Sequence, residues 1–252
     1  MAKLGYKTLG SGEHKVMVLH GWFGDQTMFD SMENALDLEY FTYVLPSYRG
    51  YGASKSLQGD YSMAEIAEDV IELADDLGWK TFSLIGHSMG GKAIQRVLLA
   101  APERIDKMIG ITPVPASVVP LDADGQALFG GASETMANRS AIIDFTTGSR
   151  LSSVWINNMA QYSAETSRKE AFHAYLSAWV QTDFHADIVG NPVPIKVIIG
   201  ANDPAMSADV MRATFLAWYP NAELEIMENA GHYPMNEVPI ALTGSMEAFL
   251  RS

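Results

Sequence analysis

The 252-residue sequence contains no cysteine. Without thiols the chain forms no disulfide, and it offers no thiolate ligand to zinc or to an iron–sulfur cluster. No apolar run approaches the roughly 20 residues of a membrane-spanning helix, and residues 1–5 lack the apolar segment of a signal peptide. We therefore expect a cytoplasmic protein with no membrane partner.

Basic residues are also scarce. The chain has 17 Lys and Arg against 30 Asp and Glu, which gives a formal net charge of −13. A surface of this sign repels phosphates, so we expect no nucleic-acid partner. No group of His, Asp and Glu has metal-ligand spacing, and we expect no metal and no cofactor. The expected partner is a small-molecule substrate, and the expected assembly is a monomer or a small homo-oligomer.

The chain does contain short apolar runs that alternate with helical patterns. Continuous apolar runs of this length are typical of parallel strands buried on both faces, and their alternation with helices indicates an α/β fold. Its expected form is a mostly parallel central sheet with helices on both faces. Strands are predicted over 6–9, 16–19, 41–45, 81–85, 107–111, 195–199 and 224–227. Helical patterns cover 27–38, 62–78, 91–101, 168–180, 208–218 and 240–250.

Residues 113–191 interrupt this alternation. Pro113, Pro115 and Pro120 begin the stretch, turn-rich sequence follows, and an amphipathic helix is predicted over 168–180. An insertion of this kind between two sheet strands is typical of a lid. We predict a core of residues 1–112 and 192–252 and a helical lid (cap) of residues 113–191.

A nucleophile motif, Gly86-His87-Ser88-Met89-Gly90, lies between a predicted strand and a predicted helix. A serine between two glycines at such a junction occupies a sharp turn that exposes its hydroxyl above the sheet. The first N–H groups of the following helix face a developing negative charge there. Ser88 is therefore the candidate nucleophile.

A serine nucleophile needs a base and an acid that orients the base. His232 follows the strand at 224–227, and Asp203 follows the strand at 195–199. Both therefore fall at the carboxyl edge of the sheet, where ligands bind in open parallel sheets. The Asp203-Pro204 pair also favours a turn, which leaves a purely structural role open for Asp203. His20 and His87 are interpreted as residues that position the backbone.

With these residues the chain resembles the α/β-hydrolase fold superfamily, and in particular its serine carboxylesterase-like branch. The resemblance rests on five motifs in order: His20-Gly21-Trp22-Phe23, Arg49-Gly50-Tyr51-Gly52-Ala53-Ser54, Gly86 to Gly91, Gly200-Ala201-Asn202-Asp203 and Gly231-His232. It implies that the backbone N–H groups of Trp22 and Met89 form an oxyanion hole. Residues 181–184 are similar to a segment of the cofactor-free haloperoxidases and perhydrolases. Ser47 stands where the family usually has Asp, which questions local bonding in that loop.

The function that these motifs favour is hydrolysis of carboxylic esters with small, uncharged or hydrophobic acyl groups, through Ser88, His232 and Asp203. Lactone opening, perhydrolysis, amide cleavage, acyl transfer and C–C bond hydrolysis use the same three residues and stay open. So does a small-molecule receptor with little turnover. Candidates for the substrate pocket are Trp22, Tyr233, Phe129, Trp155 and Trp179. Packing of the lid on the sheet explains the last three equally well.

Overall fold

The computed structural model describes residues 3–252, and a seven-stranded sheet runs through this part of the chain. The strand order is β1-β3-β2-β4-β5-β6-β7; β1 pairs antiparallel with β3, and the other neighbours pair parallel. The strands are β1 (Tyr6–Gly10), β2 (His14–Leu19), β3 (Phe41–Pro46), β4 (Phe82–His87), β5 (Ile105–Ile111), β6 (Ile195–Gly200) and β7 (Ala222–Met227).

Helices cover the sheet and fill its long connections. The α-helices of residues 3–252 are α1 (Met63–Asp76), α2 (Met89–Ala100), α3 (Ala123–Gly130), α4 (Met136–Thr146), α5 (Ser153–Thr166), α6 (Lys169–Gln181), α7 (His185–Ile188), α8 (Ala208–Ala213), α9 (Phe215–Trp218), α10 (Pro234–Glu237) and α11 (Pro239–Arg251). Short 3₁₀ helices lie at Asp30–Ala35, Gly52–Ser54, Pro102–Arg104 and Gly131–Ser133. Within residues 3–252, none of these helices combines the length and the apolar character needed to cross a membrane.

The predicted fold class is confirmed. Every residue of β3 and β4 is buried, because helices pack on both faces of the central strands. This burial explains why these strands are continuous apolar runs in the sequence rather than alternating patterns. Since β2 to β7 are parallel, their carboxyl ends lie along one edge of the sheet, and the loops at that edge meet.

Two predicted helices differ from the structure. Residues 27–38 form turns and the 3₁₀ helix Asp30–Ala35, in which Asp30 N–H donates to the Thr27 carbonyl at 3.1 Å. The buried residues Phe29 and Met32 are three apart, a spacing that suits the three residues per turn of a 3₁₀ helix. The predicted helix 208–218 breaks into α8 and α9 at Thr214, which has non-helical dihedral angles (φ −120°, ψ −91°).

Helices α3 to α7 all lie in the connection between β5 and β6, residues 112–194, which we call the helical connection. It overlaps the predicted lid. The division of the chain into a core and a lid stays a prediction.

Helix α1 offers a test of how the sequence sets a helix boundary. Ser62 caps the helix: its Oγ accepts a hydrogen bond from Glu65 N–H at 3.1 Å. In the variant Ser62→Ala this N–H has no partner, and we expect the free energy of unfolding in urea to fall by about 1 kcal/mol. Ser62→Asn, which keeps a capping oxygen, is the control. Equal stability of Ser62→Ala and the wild type would contradict the expectation.

Candidate active site

Ser88 lies in a strained turn between β4 and α2. Its φ is 53° and its ψ is −117°, a conformation that residues with a side chain rarely adopt. Close packing imposes the turn: a Cβ on Gly86 would lie 2.3 Å from the Gly90 carbonyl oxygen, and a Cβ on Gly90 would lie 2.3 Å from the Leu19 oxygen. The two glycines are therefore sterically required. Ser88 lies directly after the last residue of β4.

His232 and Asp203 meet beyond the ends of β6 and β7. His232 Nδ1 lies 2.6 Å from Asp203 Oδ2, and the other oxygen, Oδ1, accepts hydrogen bonds from the backbone N–H groups of Ala205 and Met206. Asp203 is only 3% exposed. Because the carboxylate accepts a hydrogen bond from Nδ1–H, the neutral imidazole keeps its proton on Nδ1 and has Nε2 free to act as a base.

The loop that carries His232 is fixed by its backbone. The His232 carbonyl accepts hydrogen bonds from His87 Nε2 at 2.8 Å and from Thr112 Oγ1 at 3.0 Å, and the His232 N–H donates to the Thr146 carbonyl at 3.1 Å. Burial holds the pKa of His87 well below its ordinary value, so the His87 ring is neutral. The structure thus gives His87 a backbone contact that links the serine turn to the histidine loop.

Ser88 and His232 line the same cavity. Within residues 3–252, Ser88 Oγ makes no hydrogen bond to another protein group in this conformation. Hydrogen bonds between a nucleophile and its base are often absent or long without substrate.

The predicted oxyanion residues lie on two sides of Ser88. Met89 is the first residue of α2, so its N–H has no intrahelical acceptor. Trp22 follows Gly21, whose chain runs against the serine turn: a Cβ on Gly21 would lie 3.2 Å from Ser88 Cβ. In the described part of the chain, neither the Trp22 nor the Met89 N–H donates to a protein acceptor.

His20 supports this loop. Its Nδ1 donates to the Gly21 carbonyl at 2.8 Å, and its Nε2 accepts from Tyr48 N–H at 3.2 Å. Both bonds together require a neutral ring, and burial lowers the pKa of His20 to about 4. The structure therefore uses His20 as a backbone clamp beside Trp22.

Helices of the helical connection also hold the Trp22 loop. Trp22 Nε1 donates to the Phe172 carbonyl of α6 at 2.7 Å, and the two rings stack with their centroids 4.2 Å apart. Tyr162 of α5 donates to Asp25 Oδ1 at 2.7 Å.

Ser47, where the family pattern has Asp, keeps its loop bonded. Its Oγ pairs with the side chain of Gln26, whose Oε1 also accepts from Ala53 N–H at 3.2 Å. The departure at Ser47 thus changes the partner in the loop and leaves the bonding intact.

A cavity of about 500 Å³ lies above Ser88, and its wall is mainly apolar. Four of the five predicted pocket residues, Trp22, Phe129, Trp179 and Tyr233, line it. Trp155 does not. It packs edge-on against Tyr233 with centroids 5.6 Å apart and faces a separate, smaller surface pocket. The ring of Tyr233 therefore separates Trp155 from the cavity.

No lysine or arginine of residues 3–252 lines this cavity, and Asp122 at its rim is its only carboxylate. The arginines of the helical connection have other partners. The Arg139 guanidinium lies 3.7 Å above the Phe172 ring, Arg150 binds Glu237 at 2.6 Å and Arg168 pairs with Glu170 at 3.5 Å. In the same range no three His, Asp or Glu side chains come close enough to hold a metal ion.

Glu237 is a site residue that the sequence analysis missed. Its carboxylate accepts hydrogen bonds from Gly231 N–H at 2.9 Å and from Tyr233 N–H at 3.1 Å, the residues on either side of His232. Burial raises the pKa of Glu237, and these two N–H groups and Arg150 oppose the shift. The only signal in the sequence is an acidic residue five positions after His232, which is too common to single out.

Comparison with known proteins places the chain in one group. The family model described as alpha/beta hydrolase fold matches residues 15–237. The 3-oxoadipate enol-lactonase 2 of Acinetobacter baylyi is 25% identical over 98% of this chain and 93% of its own. The 2-hydroxy-6-oxononadienedioate/2-hydroxy-6-oxononatrienedioate hydrolase of Paraburkholderia phymatum is 26% identical over 90% and 84%. An esterase from Exiguobacterium antarcticum superposes with a TM-score of 0.87, at 21% identity over 98% and 95% of the two chains; this likeness shows the fold.

The hydrogen bonds of Glu237 to the His232 loop can be tested without any substrate. In Glu237→Ala the N–H groups of Gly231 and Tyr233 lose their acceptor, and we expect the free energy of unfolding in urea to fall by about 2 kcal/mol. The exposed residue change Glu228→Ala in the same loop is the control. If the two variants are equally stable, Glu237 does not hold the loop.

Proposed function

Since the chain belongs to the alpha/beta hydrolase fold family, we propose that this hydrolase cleaves carboxylic esters with small, uncharged or hydrophobic acyl groups through an acyl-enzyme on Ser88. The observation that carries the proposal is the pairing of His232 with the buried Asp203 beside a cavity that also exposes Ser88 and has an apolar wall.

In the first half of the reaction His232 Nε2 removes the Ser88 proton as Oγ attacks the acyl carbonyl. The carboxylate of Asp203, which is already desolvated and bonded to Nδ1, stabilises the imidazolium that forms. His232 then donates the proton to the leaving alcohol. In the second half His232 activates a water molecule against the acyl-enzyme, and Ser88 is regenerated.

The tetrahedral intermediates carry a negative oxygen that needs donors. The backbone N–H groups of Trp22 and Met89 supply them, since neither has a protein acceptor within residues 3–252. A donor of this kind contributes about 10² to 10³ in rate. The dipole of α2 adds to the stabilisation because its N-terminus begins at Met89.

The cavity wall favours an uncharged acyl group. The Paraburkholderia relative is named as a hydrolase of dienedioates and trienedioates, which carry two carboxylates. Such a substrate would find no lysine or arginine within the described lining of the cavity here. The desolvation of such a carboxylate would be uncompensated. We therefore rank C–C bond hydrolysis of charged ring-fission products below hydrolysis of esters and of lactones, which are cyclic esters. The helical connection acts as the lid that excludes water from this cavity.

The nucleophile is tested by Ser88→Ala with p-nitrophenyl acetate and p-nitrophenyl butyrate. Loss of the attacking oxygen is expected to lower kcat by about 10⁶, as in another Ser-His-Asp hydrolase. The exposed change Ser56→Ala is the control. Equal turnover by Ser88→Ala and the wild type would refute the assignment. A ligand that raises the Tm of the wild type and is never consumed would favour a receptor instead.

The acid is tested by Asp203→Asn. The Asn amide lacks the negative charge and can donate its own N–H to Nδ1, which leaves the imidazole in the wrong tautomer, so kcat is expected to fall by about 10⁴. Asp209→Asn serves as the matched control, because that carboxylate is 93% exposed on the next helix. An unchanged kcat for Asp203→Asn would mean that another group orients His232.

A further inference from the structure

Lys92, one turn into α2, is completely buried, and within residues 3–252 no carboxylate forms a hydrogen bond or a salt bridge with it. Its Nζ donates to the carbonyl oxygens of Ser117 at 2.8 Å, Trp179 at 2.6 Å and Thr182 at 2.8 Å. An ammonium group has three N–H donors, so every donor of Lys92 is used. A buried charge is normally retained only where such a set of partners compensates its desolvation.

The three acceptors belong to two segments of the helical connection, one that follows β5 and one at the end of α6. We call residues 114–119 and 179–184 the neck. Two backbone hydrogen bonds join its two segments: Val119 N–H donates to the Val180 carbonyl at 2.9 Å, and Phe184 N–H donates to the Ala116 carbonyl at 3.1 Å. Lys92 therefore binds both segments of the neck to α2, the helix that begins directly after Ser88.

The neck continues directly into the cavity wall. Trp179, whose carbonyl is held by Lys92, places its ring against Trp22 (centroids 5.7 Å apart) and Phe129 (5.8 Å apart) and lines the cavity above Ser88. The Trp179 carbonyl lies in the last turn of α6, where unpaired carbonyls and the helix dipole favour a cation.

We infer that Lys92 is a positioning residue that sets acyl specificity: by fixing the neck it holds the Trp179 ring in the cavity wall and so limits the length of the acyl group beside Ser88. This inference rests on the proposed function. It assigns the Lys92 ammonium no contact with the substrate; the effect reaches the cavity through the Trp179 backbone.

The chemistry of the contact explains why the position holds a lysine. A methionine would fill the same volume, but it would leave three buried carbonyls without donors and the neck without a fixed place on α2. Burial lowers the pKa of Lys92 to about 8, while Asp183, which itself pairs with His185 at 2.6 Å, opposes the shift. A deprotonated Lys92 has two N–H donors for three carbonyls, so one attachment of the neck is lost as the pH rises through this range.

The experiment compares kcat/KM for p-nitrophenyl octanoate with that for p-nitrophenyl acetate. In Lys92→Met the Trp179 ring is released, and we expect the octanoate-to-acetate ratio to rise about tenfold, which corresponds to 1.4 kcal/mol. Trp179→Ala should raise the ratio in the same direction. The double variant should add nothing beyond Trp179→Ala, because both changes remove one feature of the wall. The exposed change Lys80→Met is the control.

A pH series on the wild type covers the case in which Lys92→Met fails to fold. The ratio should rise between pH 7 and 9.5 with a midpoint near 8, and this rise should be absent in Trp179→Ala. A pH effect on the chemical step that is common to both esters cancels in the ratio. A ratio that is independent of pH and additive effects of the two substitutions would each overturn the inference.

A readout that needs no turnover separates this inference from the proposed function. Acrylamide quenching of tryptophan fluorescence, compared between each protein and its Trp179→Phe derivative, reports the accessibility of Trp179 alone. We expect greater quenching of Trp179 in Lys92→Met than in the wild type or Lys80→Met. Equal quenching refutes the role of Lys92 in holding Trp179, whether or not esters are hydrolysed. Ester hydrolysis by Ser88→Ala at the rate of the wild type would instead refute the proposed function.

Discussion

The turn at Ser88 is the constraint on which the site depends. Its backbone is strained, and a strained turn persists only where its surroundings fix it. Ser88 N–H donates to the Ile111 carbonyl of β5, and the Ser88 carbonyl accepts from Gly91 and Val114 N–H groups. The same contacts therefore hold the hydroxyl, the start of α2 and the first residues of the neck in one arrangement. Glycine at 86 and 90 is the condition that lets these segments approach so closely.

Much of the fold could be predicted because the burial of a segment determines its pattern of apolar residues. Strands β3 and β4 are buried on both faces and so are continuous apolar runs, and Ser62 marks the start of α1 through a local hydrogen bond. Residues 27–38 misled the prediction, since Phe29 and Met32 suit an α-helical and a 3₁₀ spacing equally well. The break at Thr214 depends on dihedral angles that no local pattern signals.

Some residues of the candidate site could likewise be predicted from the sequence, and others could not. Ser88, Asp203 and His232 could be placed from the sequence because each follows a predicted strand, and parallel strands end along one edge. Glu237 and Lys92 could not, because their partners are backbone groups that the fold alone brings near. The acceptors of Lys92 are 25, 87 and 90 residues away along the chain. Trp155 could not be separated from Trp179 either, since only packing places Trp155 against Tyr233 and Trp179 in the cavity wall.

The hydrogen bond from Trp22 Nε1 to the Phe172 carbonyl ties the Trp22 loop to the position of α6. One residue carries both a backbone donor beside Ser88 and an indole that is bound to α6. Any outward movement of α6 breaks that bond and unstacks the two rings, so it also disturbs the donor. The position of α6 and the placement of the Trp22 N–H beside Ser88 are thus coupled through a single side chain.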